Sequence, residues 1–377
     1  MRLFRLILII TLALKTLIGH AQQDFVVRLK PEVLAIPNRT FFIDSVVDAR
    51  PVTVNIGMAQ VGMNNRQVEA NFDKPFEAAL SDYFKTALPR SEGQVRIVAL
   101  VNELRISEKT YRLKERGIAD VSITFCRVDS GKLYSLQTFD DQQESGGMDV
   151  TAAHHSRLSL ALKNCTEKFS KTDTRAQGLV INNTEGEWDS SDKERNILEC
   201  SERIRGVYAK FSQLRSNSPE NKDVYLRPRG ILFMAHDNES KLVDPFGVCD
   251  GMSIYVNTYF YNPVAGKGQF AKVIEEGRIL AWYDHYVSAT EAGFAGGAFG
   301  GIGMAAATSD LDIIGLDLKT GLIKPIKIKS LEQLLAEDPE LLGQYRREKN
   351  KGDVVTMMKY VKSFNQRNTL QALDNKK

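Results

Sequence analysis

Hydrophobic and polar positions change period several times along the chain, and each change predicts an element. A β-rich run over 40–47 ends at Asp48-Ala49-Arg50-Pro51, and 52–60 continues it after a bend. Phe76, Leu80, Tyr83, Phe84, Ala87 and Leu88 then recur at helical spacing. This helix has Asp73 as its predicted N-cap, Pro75 in its first turn and Pro89 as its stop. Strands over 94–104, 120–128 and 132–139 follow, the last two joined across Asp129-Ser130-Gly131 as a hairpin. A Ser-Gly-Gly break at 145–147 precedes a second helix over 151–169. Two helices against an apolar sheet predict a two-layer sandwich across residues 24–172.

Residues 173–192 lack periodicity and read as a linker. In the second unit, 193–377, Ile197, Cys200, Ile204, Val207, Phe211 and Leu214 keep a helical seam, although Gly206 inside it costs about 1 kcal/mol relative to Ala. Runs at 224–227, 230–235, 252–258, 270–274, 278–287, 311–318 and 322–328 read as strands bounded by turn residues. Three apolar stripes then close the chain: Leu331/Leu334/Leu335, Leu341/Leu342/Tyr345 after Asp338-Pro339, and Val354/Met357/Met358/Val361/Phe364. The predicted class is α+β, an N-terminal two-layer α/β sandwich followed by a β-rich unit with C-terminal helices.

The N-terminus changes the reading of charge. Arg2 and Arg5, an apolar run from Leu6 to Leu14, and Gly19-His20-Ala21 form the three parts of a secretory signal, with cleavage expected after Ala21. The whole chain carries 50 basic and 47 acidic residues; Arg2, Arg5 and Lys15 are the entire excess, so the mature chain is formally neutral. Nucleic acid is therefore not an expected partner, because duplex binding needs a surplus of Lys and Arg on phosphates. No Cys follows Ala21, so the acylated cysteine of a lipoprotein is not expected. Export leads to an oxidising compartment, where four cysteines could pair. Cys165 shares a helical stripe with Leu158, Ala161 and Leu162, whereas Cys126 has the opposite strand parity from Val121, Ile123 and Phe125. Those two thiols are predicted on opposite sides of the sheet. Cys200 and Cys249 remain as partners, and buried free thiols are the alternative.

Residues 292–307 carry no charge, and Gly293, Gly297, Gly301 and Ala305 recur every four residues, the spacing of a small-residue face for a membrane or an oligomer seam. The alternative is a buried apolar excursion between strands. His154 and His155 are adjacent at a helix start, point about 100° apart, and read as solvated side chains rather than a chelating pair. Gly-x-Ser-x-Gly, His-Glu-x-x-His and Cys-x-x-Cys are missing from the sequence, and no cofactor or metal is expected. If the chain is an enzyme, the residues that would assemble a hydrolase pocket are Cys249, Asp250 and Asp284-His285, with the Gly-rich stretch as a lid. The basic C-terminal helices read as a solvated face, with anionic lipid as the alternative.

Val47-Asp48-Ala49-Arg50-Pro51, Asn55-Ile56-Gly57, the helix at 75–88, the strand at 95–104 and Asp149-Val150-Thr151 carry a resemblance. In these the first unit resembles the small α/β domain of the ABC-transport auxiliary lipoproteins of the bacterial envelope. The second unit, through Gly206-Val207-Tyr208, Phe246–Gly251 and Gly277-Arg278, is similar to secreted bacterial proteins to which no activity is attached. Export, the neutral mature charge, two predicted cores and the want of a convergent catalytic set point to a non-enzymatic periplasmic or outer-membrane-associated binding module with an envelope protein partner. A secreted hydrolase and a membrane-inserting or oligomerising protein are the other two readings.

Overall fold

The computed structural model describes residues 24–62, 66–111, 114–147, 149–184, 197–198, 200, 202–262, 264–287 and 310–368. The predicted signal segment, residues 185–196, and the Gly-rich stretch with Gly293, Gly297, Gly301 and Ala305 lie outside them.

The fold is α+β. Strands β1 (Phe25–Val27), β2 (Phe41–Asp48), β3 (Met58–Val61) and β4 (Arg66–Phe72) lead into helix α1 (Phe76–Ala87). Three long strands follow, β5 (Val95–Tyr111), β6 (Lys114–Asp129) and β7 (Lys132–Gly147), then helix α2 (His154–Phe169) and strand β8 (Leu179–Thr184). The main sheet has the order β2-β5-β6-β7-β8, with β2 parallel to β5 and the other pairs antiparallel. Strand alternation turns Phe41, Ile97, Ala99, Val121, Ile123 and Phe125 to one face, where Leu80, Phe84, Leu158, Leu162 and Phe169 of the two helices bury them. Phe125 and Phe169 stack at 4.2 Å at the centre of this layer. Cys165 lies in this core and Cys126 in a separate cluster with Val98, Leu100 and Leu133, so parity places the two thiols on opposite faces. All four cysteines are free.

Several local expectations change. Asp73 does not cap α1; Pro75 holds that position, and the Asp73 carboxylate accepts from Arg28 at 3.2 Å. Strand β4 was not expected, and of 52–60 only the end is strand, while Val52 packs into the core of the second unit. Residues 145–147 extend β7 instead of breaking before the helix. The expected linker contributes β8, whose Ile181, Val180 and Leu179 pair with Leu133, Tyr134 and Ser135. The β3–β4 hairpin, joined by β1 in a small sheet of its own, docks on β5 at Gly57. There a side chain would stand 2.0 Å from the Ile106 carbonyl oxygen, at a φ of +119°.

In the second unit the helical seam over 197–214 resolves into strand β9 (Gly206–Tyr208) and a short helix α3 (Phe211–Arg215). Gly206 has a φ of +155°, and its missing Cβ would meet the Glu220 carbonyl at 2.6 Å. An apolar period of 3.6 was present by coincidence, because Ile204 within it is exposed. Strands β10 (Tyr225–Arg229), β11 (Leu232–His236), β12 (Gly247–Cys249), β13 (Ile254–Asn257) and β14 (Gln269–Lys272) complete an antiparallel sheet of order β10-β11-β14-β13-β12-β9. A three-stranded antiparallel sheet follows: β15 (Ile279–Asp284), β16 (Asp312–Asp317) and β17 (Ile323–Pro325). Leu280, Trp282, Ile314, Leu316 and Ile323 on one of its faces share a core with Tyr208, Phe211 and Phe246. Ile279, Ala281, Ile313 and Ile326 on the other face pack beneath α4 (Ile328–Leu335), α5 (Pro339–Arg347) and α6 (Val354–Arg367). Asp338 and Asp353 cap α5 and α6 through the Leu341 and Thr356 amides.

Asn365 of α6 closes the edge of β15 by acting as a strand partner: its Oδ1 accepts from Ile279 N (2.9 Å) and its Nδ2 donates to Ile279 O (2.8 Å). Asn365→Ala leaves both buried backbone groups unpaired and is expected to cost about 2 kcal/mol, read as a lowered midpoint in urea unfolding with unchanged slope.

Polar contacts join the two units. Asn55 Nδ2 donates to Thr320 O (3.1 Å), Gln67 Nε2 to Phe260 O (2.7 Å), and Lys210 pairs with Asp120 at 2.9 Å. Arg105 lies over the Phe211 ring, and burial pulls its pKa down to about 10. The outer halves of β5 and β6 carry these charges, which is why their apolar alternation fades before the strands end.

Candidate functional site

The four residues expected for a hydrolase pocket are not brought together. Cys249 ends β12, and Asp250 occupies the turn before β13, where its carboxylate accepts from the Met252 and Ser253 amides and from Tyr255 Oη. Burial pushes the Cys249 thiol above its ordinary pKa, against the Gly251 amide that points at the sulfur. Asp284 ends β15 and meets residues beyond the other end of β13: Tyr261 Oη donates to it at 2.6 Å, and Trp282 Nε1 donates to Tyr261 Oη at 3.0 Å. His285 is tied to this second cluster through its backbone, its amide to Asp284 and its carbonyl to Asn262 Nδ2. Four strand residues at about 3.3 Å each separate the two groups.

The histidine expectation is overturned at His154, which is fully buried. Its Nε2 lies 2.7 Å from Glu108 Oε1, and neither side chain touches solvent. Glu108 also accepts from the Gln60 amide at 3.0 Å. His154 Nδ1 has no partner, so the tautomer with its proton on Nε2 satisfies the pair, while a second proton would be buried without an acceptor. Burial lowers the His154 pKa, and the hydrogen bond to Glu108 opposes that shift only in part. Arg157, one turn along α2, donates to Ser145 Oγ (2.6 Å) and to the Val150 carbonyl. Its guanidinium lies where a side chain at Gly117 would stand. The signal available in the sequence was Glu108 itself, which shares strand parity with Leu104 and Ile106 and so carries a charge on the core face. His155 is half-buried, with its Nδ1 2.9 Å from the Ala152 carbonyl oxygen.

A cleft of about 460 Å³ opens to solvent where the helix-covered face of β15–β17 meets the β3–β4 hairpin. A site between two packed units, within the size range of small-molecule pockets, is a common location for binding. Gly315 sits across from Lys324 in the strand register, and a Cβ there would meet Ile326 Cδ1 at 2.7 Å, so this glycine lets Ile326 and Ile279 pack down onto the sheet. Ile279, Leu322, Ile326 and Leu334 supply apolar wall. Arg278 is saturated: its guanidinium donates to both oxygens of Glu337 (2.5 and 2.9 Å) and to Asp317 (3.2 and 3.4 Å). Burial opposes its charge, but those hydrogen bonds outweigh burial and push its pKa up.

Three further charged groups in the cleft, Lys319, Glu69 and Lys324, have no counter-charge within 4.0 Å among the described residues. Glu69 of β4 accepts from Asn55 Nδ2 (3.2 Å), and burial raises its pKa against that hydrogen bond. Lys324 of β17 has no carboxylate within 4.0 Å among the described residues; burial lowers its pKa, while Asp317 and Glu69 oppose the shift from further away. Glu69 and Lys324 are each a desolvated charge facing the same space. Of the features that the sequence singled out, Arg278 and Leu334 line this cleft and Asn55 holds Glu69, and nothing in the local pattern links Glu69 to Lys324. Among the described residues there is no group of three or more His, Cys, Asp or Glu side chains disposed to hold a metal, and no helix long and apolar enough to cross a membrane.

Residues 206–368 match a family of unknown function, DUF6563, and this match spans β9 to α6, including the second-unit side of the cleft. No curated protein matches the chain. A solved structure similar to part of it is that of protein XCC0632 from Xanthomonas campestris, assigned to DUF330. The identity is 12%, with 39% of this chain and 92% of that one covered, and the TM-score is 0.24.

Proposed function

We propose that this is an exported, non-enzymatic binding protein of the bacterial cell envelope, and that its ligand or partner engages the cleft between Glu69 and Lys324. The observation that carries the reading is the pair of desolvated, unsaturated charges in an open space between two packed units. A folded chain has no stability reason to keep such groups apart and short of partners, whereas a binding site does. The three-part N-terminus, the neutral mature charge and the resemblance of the first unit to envelope accessory domains support the compartment and the partner class. The hydrolase reading is weakened because Asp250 serves a turn at one end of β13 and Asp284 a buried tyrosine beyond the other. A membrane-inserting or oligomerising protein acting through residues 292–307 is the other alternative, and that stretch lies outside the described residues.

Fractionation of the native host, with a photocrosslinking side chain at Gln333 of the cleft, tests this reading. Recovery in the periplasm or envelope fraction, without residues 1–21 and with a reproducible crosslinked species, is expected. Recovery in the cytosol with residues 1–21 still attached would overturn it.

A further inference from the structure

We infer that the cleft binds a small zwitterion with an apolar substituent, an α-amino acid or short peptide, its carboxylate on Lys324 and its ammonium on Glu69. This deepens the binding reading above and rests on it. Three features of the cleft carry the inference.

The first is charge. Arg278, Lys319 and Lys324 face Glu69, Asp317 and Glu337 across the lining, so the site is formally neutral and suits a ligand with no net charge. The second is which of these charges are already used. Arg278 takes up Asp317 and Glu337 in four hydrogen bonds, and Asp317 also accepts from the Lys319 backbone amide. Lys319, Lys324 and Glu69 remain with no counter-charge within 4.0 Å among the described residues, and of these Lys324 on β17 and Glu69 on β4 carry one charge of each sign on the two elements that meet at the cleft. Both are half-buried in the cleft without a counter-charge at contact, so a ligand offering an anion to one and a cation to the other gains two interactions at once. A simple carboxylate or a simple amine gains one and leaves the other charge without a counter-charge. The third is the wall: Ile279, Leu322, Ile326 and Leu334 line the cleft, and an apolar substituent would pack against them.

The test is calorimetric titration of the purified mature chain with leucine, the dipeptide Leu-Leu, 4-methylpentanoate and 3-methylbutylamine, with inorganic phosphate alongside. Leucine or Leu-Leu is expected to bind at least tenfold more tightly than either singly charged analogue. The tighter of those two tells whether a free amino acid or a peptide is the source. Lys324→Met and Glu69→Gln should each weaken binding at least tenfold, and Lys324→Arg should retain it. Gly315→Val should weaken binding by displacing Ile326 and Ile279 of the wall. Thermal unfolding of each variant separates loss of binding from loss of fold, and Lys324→Arg keeps the test open if Lys324→Met does not fold. Equal binding of leucine and 4-methylpentanoate, tighter binding of phosphate, or no saturable binding of any probe would overturn the inference. In the last case a crosslink at Gln333 would leave the envelope-binding reading standing, so the two can fail separately.

Discussion

His154→Ala is expected to destabilise the protein by about 3–5 kcal/mol, the usual cost of removing one member of a buried charged or hydrogen-bonded pair. The reason is what remains. Glu108 would keep the Gln60 amide and lose its contact at 2.7 Å, with no solvent reaching the carboxylate. The substitution also empties space beside Phe25, whose ring lies 6.3 Å from the imidazole. Replacing both members, Glu108→Leu with His154→Leu, removes the unpaired charge together with its partner and is expected to recover most of the loss. Urea unfolding of the two single variants and the double variant reads this directly. A cost below about 1 kcal/mol for His154→Ala would show that the pair carries little of the stability. The pH dependence has a definite sign. The folded-state pKa of His154 lies below its ordinary value of 6.5, so its contribution is fully present above that value and is lost as pH falls below it. Wild-type stability should therefore decline on acidification through this range, and the double Leu variant should lack that part of the decline.

Arg278→Met is expected to cost about 3 kcal/mol and to disable the cleft. The guanidinium is almost wholly buried, lies over the Phe364 ring at 5.5 Å and holds Asp317 and Glu337 together. Methionine keeps much of the packing volume and removes the charge, so two carboxylates are left facing each other and Glu69. Glu337 is partly exposed and turns to water at modest cost, which keeps the loss at the low end for a buried network. Because β15, β16 and α4 are tied through this one side chain, the damage should extend to the cleft. The binding tested above should disappear, while α1 and α2 over the first sheet keep their protection from amide hydrogen exchange. Equal loss of protection in both units would instead mean that they unfold as one.

Elements buried on a single continuous face were legible in the sequence. Helices α1, α2, α5 and α6 each repeat one apolar stripe against one layer, and the cores of β5, β6 and β7 alternate for the same reason. The order of an α/β sandwich, then strands, then terminal helices followed from those periods. Asp338-Pro339 marked its helix start because a cap is a local hydrogen bond. Gly206 misled the reading, since a backbone conformation set by the approach of Glu220 interrupts a seam that side-chain spacing alone keeps intact. Strand β8 was missed because an edge strand buries little and so leaves little periodic signal, and Leu179 is largely exposed.

The site obeyed a different rule. Glu108 announced a buried charge by its parity, but its partner is 46 residues away, on a helix whose register no strand pattern constrains. Asp284 and His285 stood next to Cys249 and Asp250 only as reactive residue types; β13 held them apart. Glu69 and Lys324 showed no sign of belonging together until the hairpin docked at Gly57 and β17 paired beside Gly315. Chain periodicity records which side of an element faces a core, because burial is collected residue by residue along it. Which charges share a space depends on how separate elements pack, and only the tertiary structure decided that.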